Sequence, residues 1–78
     1  MKGTPPPSGS KKVGSREYDE YRLDLHRGPD GKAYVVIHQK MFFADGSPQS
    51  RGFIGRSHAL ASEAGFQGAN YWFVADPE

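Results

Sequence analysis

The pentapeptide Gly28-Pro29-Asp30-Gly31-Lys32 constrains this chain more than any other feature. Pro29 presets φ for the first turn position, Asp30 suits the second, and Gly31 supplies the positive φ that closes a three-residue hairpin loop. The sequence alternates on both sides of it. Tyr21, Leu23 and Leu25 interleave with Arg22, Asp24 and His26, the period-two pattern of a half-buried strand. Residues 33–43 read as its partner. A loop of Pro29, Asp30 and Gly31 makes Gly28 face Lys32, so residues whose numbers sum to 60 pair. Leu25 then meets Val35, Leu23 meets Ile37 and Tyr21 meets Gln39 on one face. Arg22 meets His38, Asp24 meets Val36, His26 meets Tyr34 and Glu20 meets Lys40 on the other. A two-residue loop would set inward residues against outward ones, because a slip of one position flips every side chain.

Beyond the hairpin, residues 44–50 are loop by composition. Residues 51–56 are expected as a short third strand with Phe53 and Ile54 in the core. Ser57 then suits the N-cap of a helix over 58–64, ended by Gly65, with Phe66 packing back. Residues 71–75 read as a last strand, stopped by Pro77. Residues 1–15 hold three prolines, three glycines and three serines and little that is apolar. They read as a disordered basic arm that cannot offset its ordering entropy. The expectation is an α+β fold: a small antiparallel sheet in the order β-β-β-α-β, one short helix on one face, and a disordered N-terminal arm. The single domain covers residues 16–78, near the lower size limit for one unstapled core.

The charge is patterned in blocks. Residues 1–16 carry +4, 17–31 carry −3, 32–56 carry +3 and 57–78 carry −3, for a net charge of +1. The basic character therefore sits mainly in the arm. The 78 residues include no cysteine, which excludes disulfides, zinc–thiolate sites and a thiol nucleophile and points to a cytoplasmic setting. No run is long and apolar enough to span a bilayer, and the start of the chain has no apolar signal region. No membrane association is expected.

Catalytic and metal chemistry find little support. His26 and His38 share a face but lie four residue pairs apart, about 13 Å at the usual strand rise, whereas zinc ligands lie about 2 Å from one ion. Ser57 and His58 are adjacent in sequence, which does not aim one side chain at the other. No nucleophile elbow, phosphate loop or metalloprotease motif is present. Glu20 and Asp24 flank Arg22 and are expected to form solvent-side cross-strand ion pairs, with nothing to bury them. A non-enzymatic chain is expected, with no cofactor, no metal and no small-molecule substrate.

Binding is better supported. Ten residues are aromatic, and Phe42 and Phe43, or Trp72 and its neighbours, must point to opposite sides of a strand. One helix covers one sheet face, so the other is expected to expose some of Tyr34, Val36 and Phe42 with either Trp72 and Val74 or Tyr71 and Phe73, and the contact is assigned to Tyr34, Phe42, Trp72, Arg22 and Lys40. Such a surface suits a protein partner or a second copy of the chain. The alternative is a nucleic acid held by Lys11, Lys12 and Arg16 of the arm with Arg22, Lys40 and Tyr34 of the sheet. In outline the strand-turn-strand and later helix are similar to WGR domains. His38-Gln39-Lys40 stands where the Trp-Gly-Arg signature would be, so that function is not carried over. In size and in lacking an enzyme motif, the chain resembles the small inhibitors made by phages, which implies an inhibitor or adaptor that works by occupying a surface.

Overall fold

The computed structural model describes residues 3–74. The hairpin forms in the expected register. Strand β2 (Tyr21–Arg27) pairs antiparallel with β3 (Ala33–Gln39), Leu25 facing Val35, Leu23 facing Ile37 and Tyr21 facing Gln39. The turn closes with Gly28 N–H on the Lys32 carbonyl at 2.9 Å and Gly31 N–H on the Gly28 carbonyl at 2.9 Å, with Gly31 at φ 79°. Strand β1 (Lys11–Glu17) flanks β2 antiparallel. Helix α1 (Phe53–Glu63) leads to β4 (Asn70–Val74), which lies beside β3. The fold is a small α+β arrangement in the order β-β-β-α-β, with one helix on a four-stranded sheet.

The strands that fill that order differ from expectation in four ways. Lys11 to Ser15, expected within a disordered arm, belong to β1. An edge strand needs few apolar residues. On its inner face Gly14 packs on Leu25 and Leu60, where a Cβ would sit in ordinary contact at 3.7 and 3.8 Å, and Arg16 reaches the helix to pair with Glu63. Val13 falls at a bulge, where the register shifts between Lys12 and Gly14. Residues ahead of β1 are also tied down. Thr4 N–H donates to the Tyr71 carbonyl at 2.7 Å, and Gly3 bridges Trp72.

Residues 51–56, expected as a strand, open the helix instead. Phe53, Ser57, Leu60 and Ala61 recur at helical spacing and form its inward stripe. Gly52, left-handed at φ 71°, starts it without a side-chain cap. Ser57 is therefore not the N-cap: it lies one turn inside the helix, fully buried, and its hydroxyl has no partner. The C-terminus is as expected. Gly65 is left-handed and donates to the Ser62 carbonyl, while Phe66 N–H reaches the Ala61 carbonyl at 3.0 Å. Phe66 packs against the core.

The sheet is mixed rather than wholly antiparallel, since β4 runs parallel to β3. The helix carries the chain back along the sheet, so the next strand must repeat the direction of β3. Strand β3 also ends at Gln39 rather than Phe43, because Lys40 and Met41 both donate to the Glu20 carbonyl, at 2.9 and 3.2 Å, and turn away. The core lies between sheet and helix: Tyr21, Leu23, Leu25, Ala33, Val35, Ile37, Leu60 and Ala61, joined by Phe53, Phe66, Tyr71 and Phe73. Phe53 meets the Phe73 ring edge-on at 4.8 Å between centroids.

The place of Ser57 gives a test. A capping serine replaced by alanine costs about 1 kcal/mol, whereas removing a buried hydroxyl with no partner is neutral or stabilising. Ser57→Ala should keep or raise the midpoint of thermal unfolding, and a fall of several degrees would return Ser57 to a capping role.

Candidate functional site

The face turned away from the helix carries Lys12 and Ser15 of β1, Arg22, Asp24 and His26 of β2, Tyr34, Val36 and His38 of β3, and Trp72 and Val74 of β4. At its centre is Asp24, only 4 % exposed. The expectation that nothing buries this carboxylate is corrected. Ser15 Oγ donates to Oδ1 at 2.8 Å, and Lys12 Nζ stands 3.4 Å from the same oxygen. Arg22 and His38 Nε2 take Oδ2 at 3.2 and 3.1 Å. Burial pushes the Asp24 carboxyl up, but the hydrogen bonds from Ser15 and Arg22 and the charges of Arg22 and Lys12 outweigh it and hold the pKa below the ordinary carboxylate value. Alternation places Asp24 on this face. The closure comes from β1, whose Ser15 sits directly opposite it.

This network changes the status of the residues expected to bind. Tyr34 is 6 % exposed, not open to solvent. Its hydroxyl donates to Asp30 Oδ2 at 2.7 Å and its ring lies along Gly28. Trp72 points to the same face from β4 and is half-buried. Arg22 is engaged by Asp24, and Lys40 by Glu17. Of the arm cations, Lys12 also turns to Asp24 and Arg16 to Glu63, while Lys11 is exposed. The structure thus gathers Lys12, Arg22 and Tyr34 onto one face but spends the two cations on a carboxylate of the same chain.

Phe42 has a different setting. Residues 41–49 form a finger beyond β3. Phe43 N–H donates to the Ser47 carbonyl at 2.8 Å, Gly46 N–H to the Phe43 carbonyl at 2.9 Å, and Gln49 N–H to the Met41 carbonyl at 3.0 Å. Phe42 bridges Pro48, and its carbonyl accepts from the Gln49 side chain. Met41, Phe42 and Phe43 are 43, 42 and 57 % exposed. Sequence reasoning placed Phe42 on the sheet and passed over Met41. The missed signal was the Asp45-Gly46 turn pair, flanked by the apolar run and Pro48.

The residues weighed for chemistry do not converge. Ser57 Oγ faces the interior while His58 is exposed. Among the described residues no group of three or more His, Asp or Glu side chains is placed to hold a metal ion. Among those residues, too, no helix is long and apolar enough to cross a membrane. What the fold and surface define is a small α+β domain with one ionic face organised around a buried carboxylate and an ordered apolar projection. No protein-family model, curated protein or solved structure matches this chain.

The ionic face predicts a pH response. Asp24 has a folded pKa below its unfolded one, so its stabilisation is present above about pH 4 and is lost as pH falls through the folded value. His26 is lowered mainly by burial, partly opposed by Asp24. Its contribution is complete above the unfolded value near 6.5 and declines first as pH drops. Urea unfolding between pH 8 and 3 should show two successive losses, with the earlier one absent in His26→Gln. Asp24→Asn should cost about 2–3 kcal/mol at pH 7, since it leaves Arg22, Lys12 and His38 without their shared anion. A change under 0.5 kcal/mol would contradict the network.

Proposed function

We propose that this chain is a non-enzymatic recognition module that binds a protein partner through the apolar finger of residues 41–49. One observation carries the reading: Met41, Phe42 and Phe43 are three consecutive large apolar side chains left open to solvent on a segment fixed by its own hydrogen bonds. Contiguous exposed apolar side chains mark contact sites, and methionine and aromatic residues are enriched in interface cores. A segment already ordered loses little further entropy on binding. Lys40 at its base is paired with Glu17, and Asp45 near its tip is a carboxylate held by Ser47 N–H and Oγ, so the apolar contact is confined to Met41, Phe42 and Phe43. The partner is thus a protein surface with an apolar pocket. Such a module acts as an adaptor or inhibitor by occupying that pocket. Against the nucleic-acid alternative, Arg16 and Lys40 each have an acidic partner within the domain and Lys12 and Arg22 share Asp24, which leaves Lys11 as the exposed cation of that set.

The test is the double variant Phe42→Ser/Phe43→Ser. Both positions are exposed, so stability should change by about 0.5 kcal/mol or less. A protein captured quantitatively by the wild-type chain should be lost by tenfold or more, about 1.4 kcal/mol, and its purified form should reproduce the loss in calorimetry. Equal capture by both chains would remove the finger as the contact. Loss of self-association alone would make the partner a second copy. Retention of nucleic acid that falls steeply with salt would favour the alternative.

A further inference from the structure

Strand β1 has two unlike halves, divided by the bulge at Val13 where the register shifts between Lys12 and Gly14. The second half is anchored on both faces. Gly14 packs on Leu25 and Leu60, Ser15 Oγ donates to Asp24 at 2.8 Å, Arg16 pairs with Glu63, and Glu17 pairs with Lys40. The first half, Lys11, Lys12 and Val13, is exposed at every position. It also faces its own sign of charge. Lys11 stands opposite Arg27, whose guanidinium lies over the Phe66 ring, and Lys12 stands opposite His26. Among the described residues its one ion pair is Lys12 Nζ to Asp24 Oδ1 at 3.4 Å, with the lysine side chain 52 % exposed. An ion pair so open to water is weak and easily offset.

This arrangement tolerates a neutral His26 and opposes a charged one, because like charges directly opposite on paired strands repel. The charged and titratable groups on the face around His26 are Lys12 from β1, Arg22 and Asp24 along β2, and Tyr34 and His38 from β3. Asp30 is engaged by the Tyr34 hydroxyl, and β4 adds no charged residue. Asp24 is the one carboxylate on that face, and Lys12, Arg22 and His38 already share it. A proton on His26 therefore adds a cation where no further anion stands. We infer that the bulge at Val13 is the hinge of a proton-operated latch: protonation of His26 releases residues 11–13 from β2 while residues 14–17 stay in the sheet. Burial is the largest cause holding the His26 pKa below its ordinary value, and Lys12 and His38 lower it further. Release of residues 11–13 relieves the first two, so the open form binds the proton more tightly and gains population as pH falls below about 6.5. Lys11 and Lys12 then extend free of the domain. The latch does not involve the finger, so either can fail without the other.

Amide hydrogen exchange by NMR on the full chain tests this, read as protection factors at pH 7.5 and 5 to remove the intrinsic pH dependence of exchange. Protection over residues 11–13 should fall by about threefold or more, while residues 15–17 and the β2–β3 pair keep theirs. His26→Gln should abolish the fall. His26→Arg, charged at both pH values, should leave residues 11–13 open at pH 7.5 with residues 15–17 still protected. In a separate imidazole titration, Lys12→Gln should raise the His26 midpoint. Loss of protection over residues 15–17 in step with 11–13, the same fall in His26→Gln, no fall in the wild-type chain, or residues 11–13 unprotected already at pH 7.5 would overturn the assignment.

Discussion

The three-residue loop between β2 and β3 fixes which side chains can meet. By pairing Gly28 with Lys32 it sets Leu25 on Val35 and Leu23 on Ile37, and thereby commits Asp24, Arg22 and His38 to the opposite face. The other elements follow that sorting. The apolar face needs a cover, and the stripe of Phe53, Ser57, Leu60 and Ala61 supplies it. Because the cover is a helix running back along the sheet, β4 returns parallel to β3 and brings Tyr71 and Phe73 into the same core. A shift of one residue in the turn would put carboxylate and imidazole under the helix and leucines in water.

The polar face solves a different problem. One helix leaves half the sheet uncovered, and an open face of aromatic and aliphatic residues would invite association. Here Asp24 draws Lys12, Arg22, His38 and Ser15 inward, and Tyr34 leans onto the turn. The cations best placed to attract a polyanion are committed to that centre. Exposed large apolar side chains among the described residues lie elsewhere: Met41, Phe42 and Phe43 on the finger beyond β3, with Val13 and Ile54 apart from it. The finger is peripheral to the core, so it can vary in sequence without disturbing the register that holds the sheet.

The parts legible in the sequence are those decided by local chemistry. The turn, the register and the Gly65 stop depend on residues a few positions apart, and Phe66 packs where its place beyond the glycine implied. The parts that were not legible depend on distant partners. Lys11 to Ser15 have no pattern of their own and become a strand only because β2 offers an edge and Asp24 an acceptor for Ser15. Phe53 and Ile54 read as a strand pair because adjacent apolar residues fit either period, and only the spacing from Phe53 to Ser57, Leu60 and Ala61 selects the helix. Phe42 was recognisable as surplus apolar surface, but its place on a finger depended on Lys40 and Met41 turning back to Glu20. The burial of Asp24 could not be read from β2 and β3, since its closest hydrogen-bond donor lies on the strand that looked disordered.

Tyr34 is held closed on the sheet face, while the finger carries three of the five exposed large apolar side chains among the described residues; the other two are Val13 and Ile54, the latter expected in the core but turned to solvent by the helix. Hydroxyl-radical footprinting with mass spectrometry measures side-chain accessibility residue by residue and tests this contrast most directly. Heavy labelling at Met41, Phe42 and Phe43, with Tyr21 and Tyr34 protected, is the predicted result. Labelling of Tyr34 as strong as that of Phe42, or protection of all three finger residues in the free chain, would contradict it.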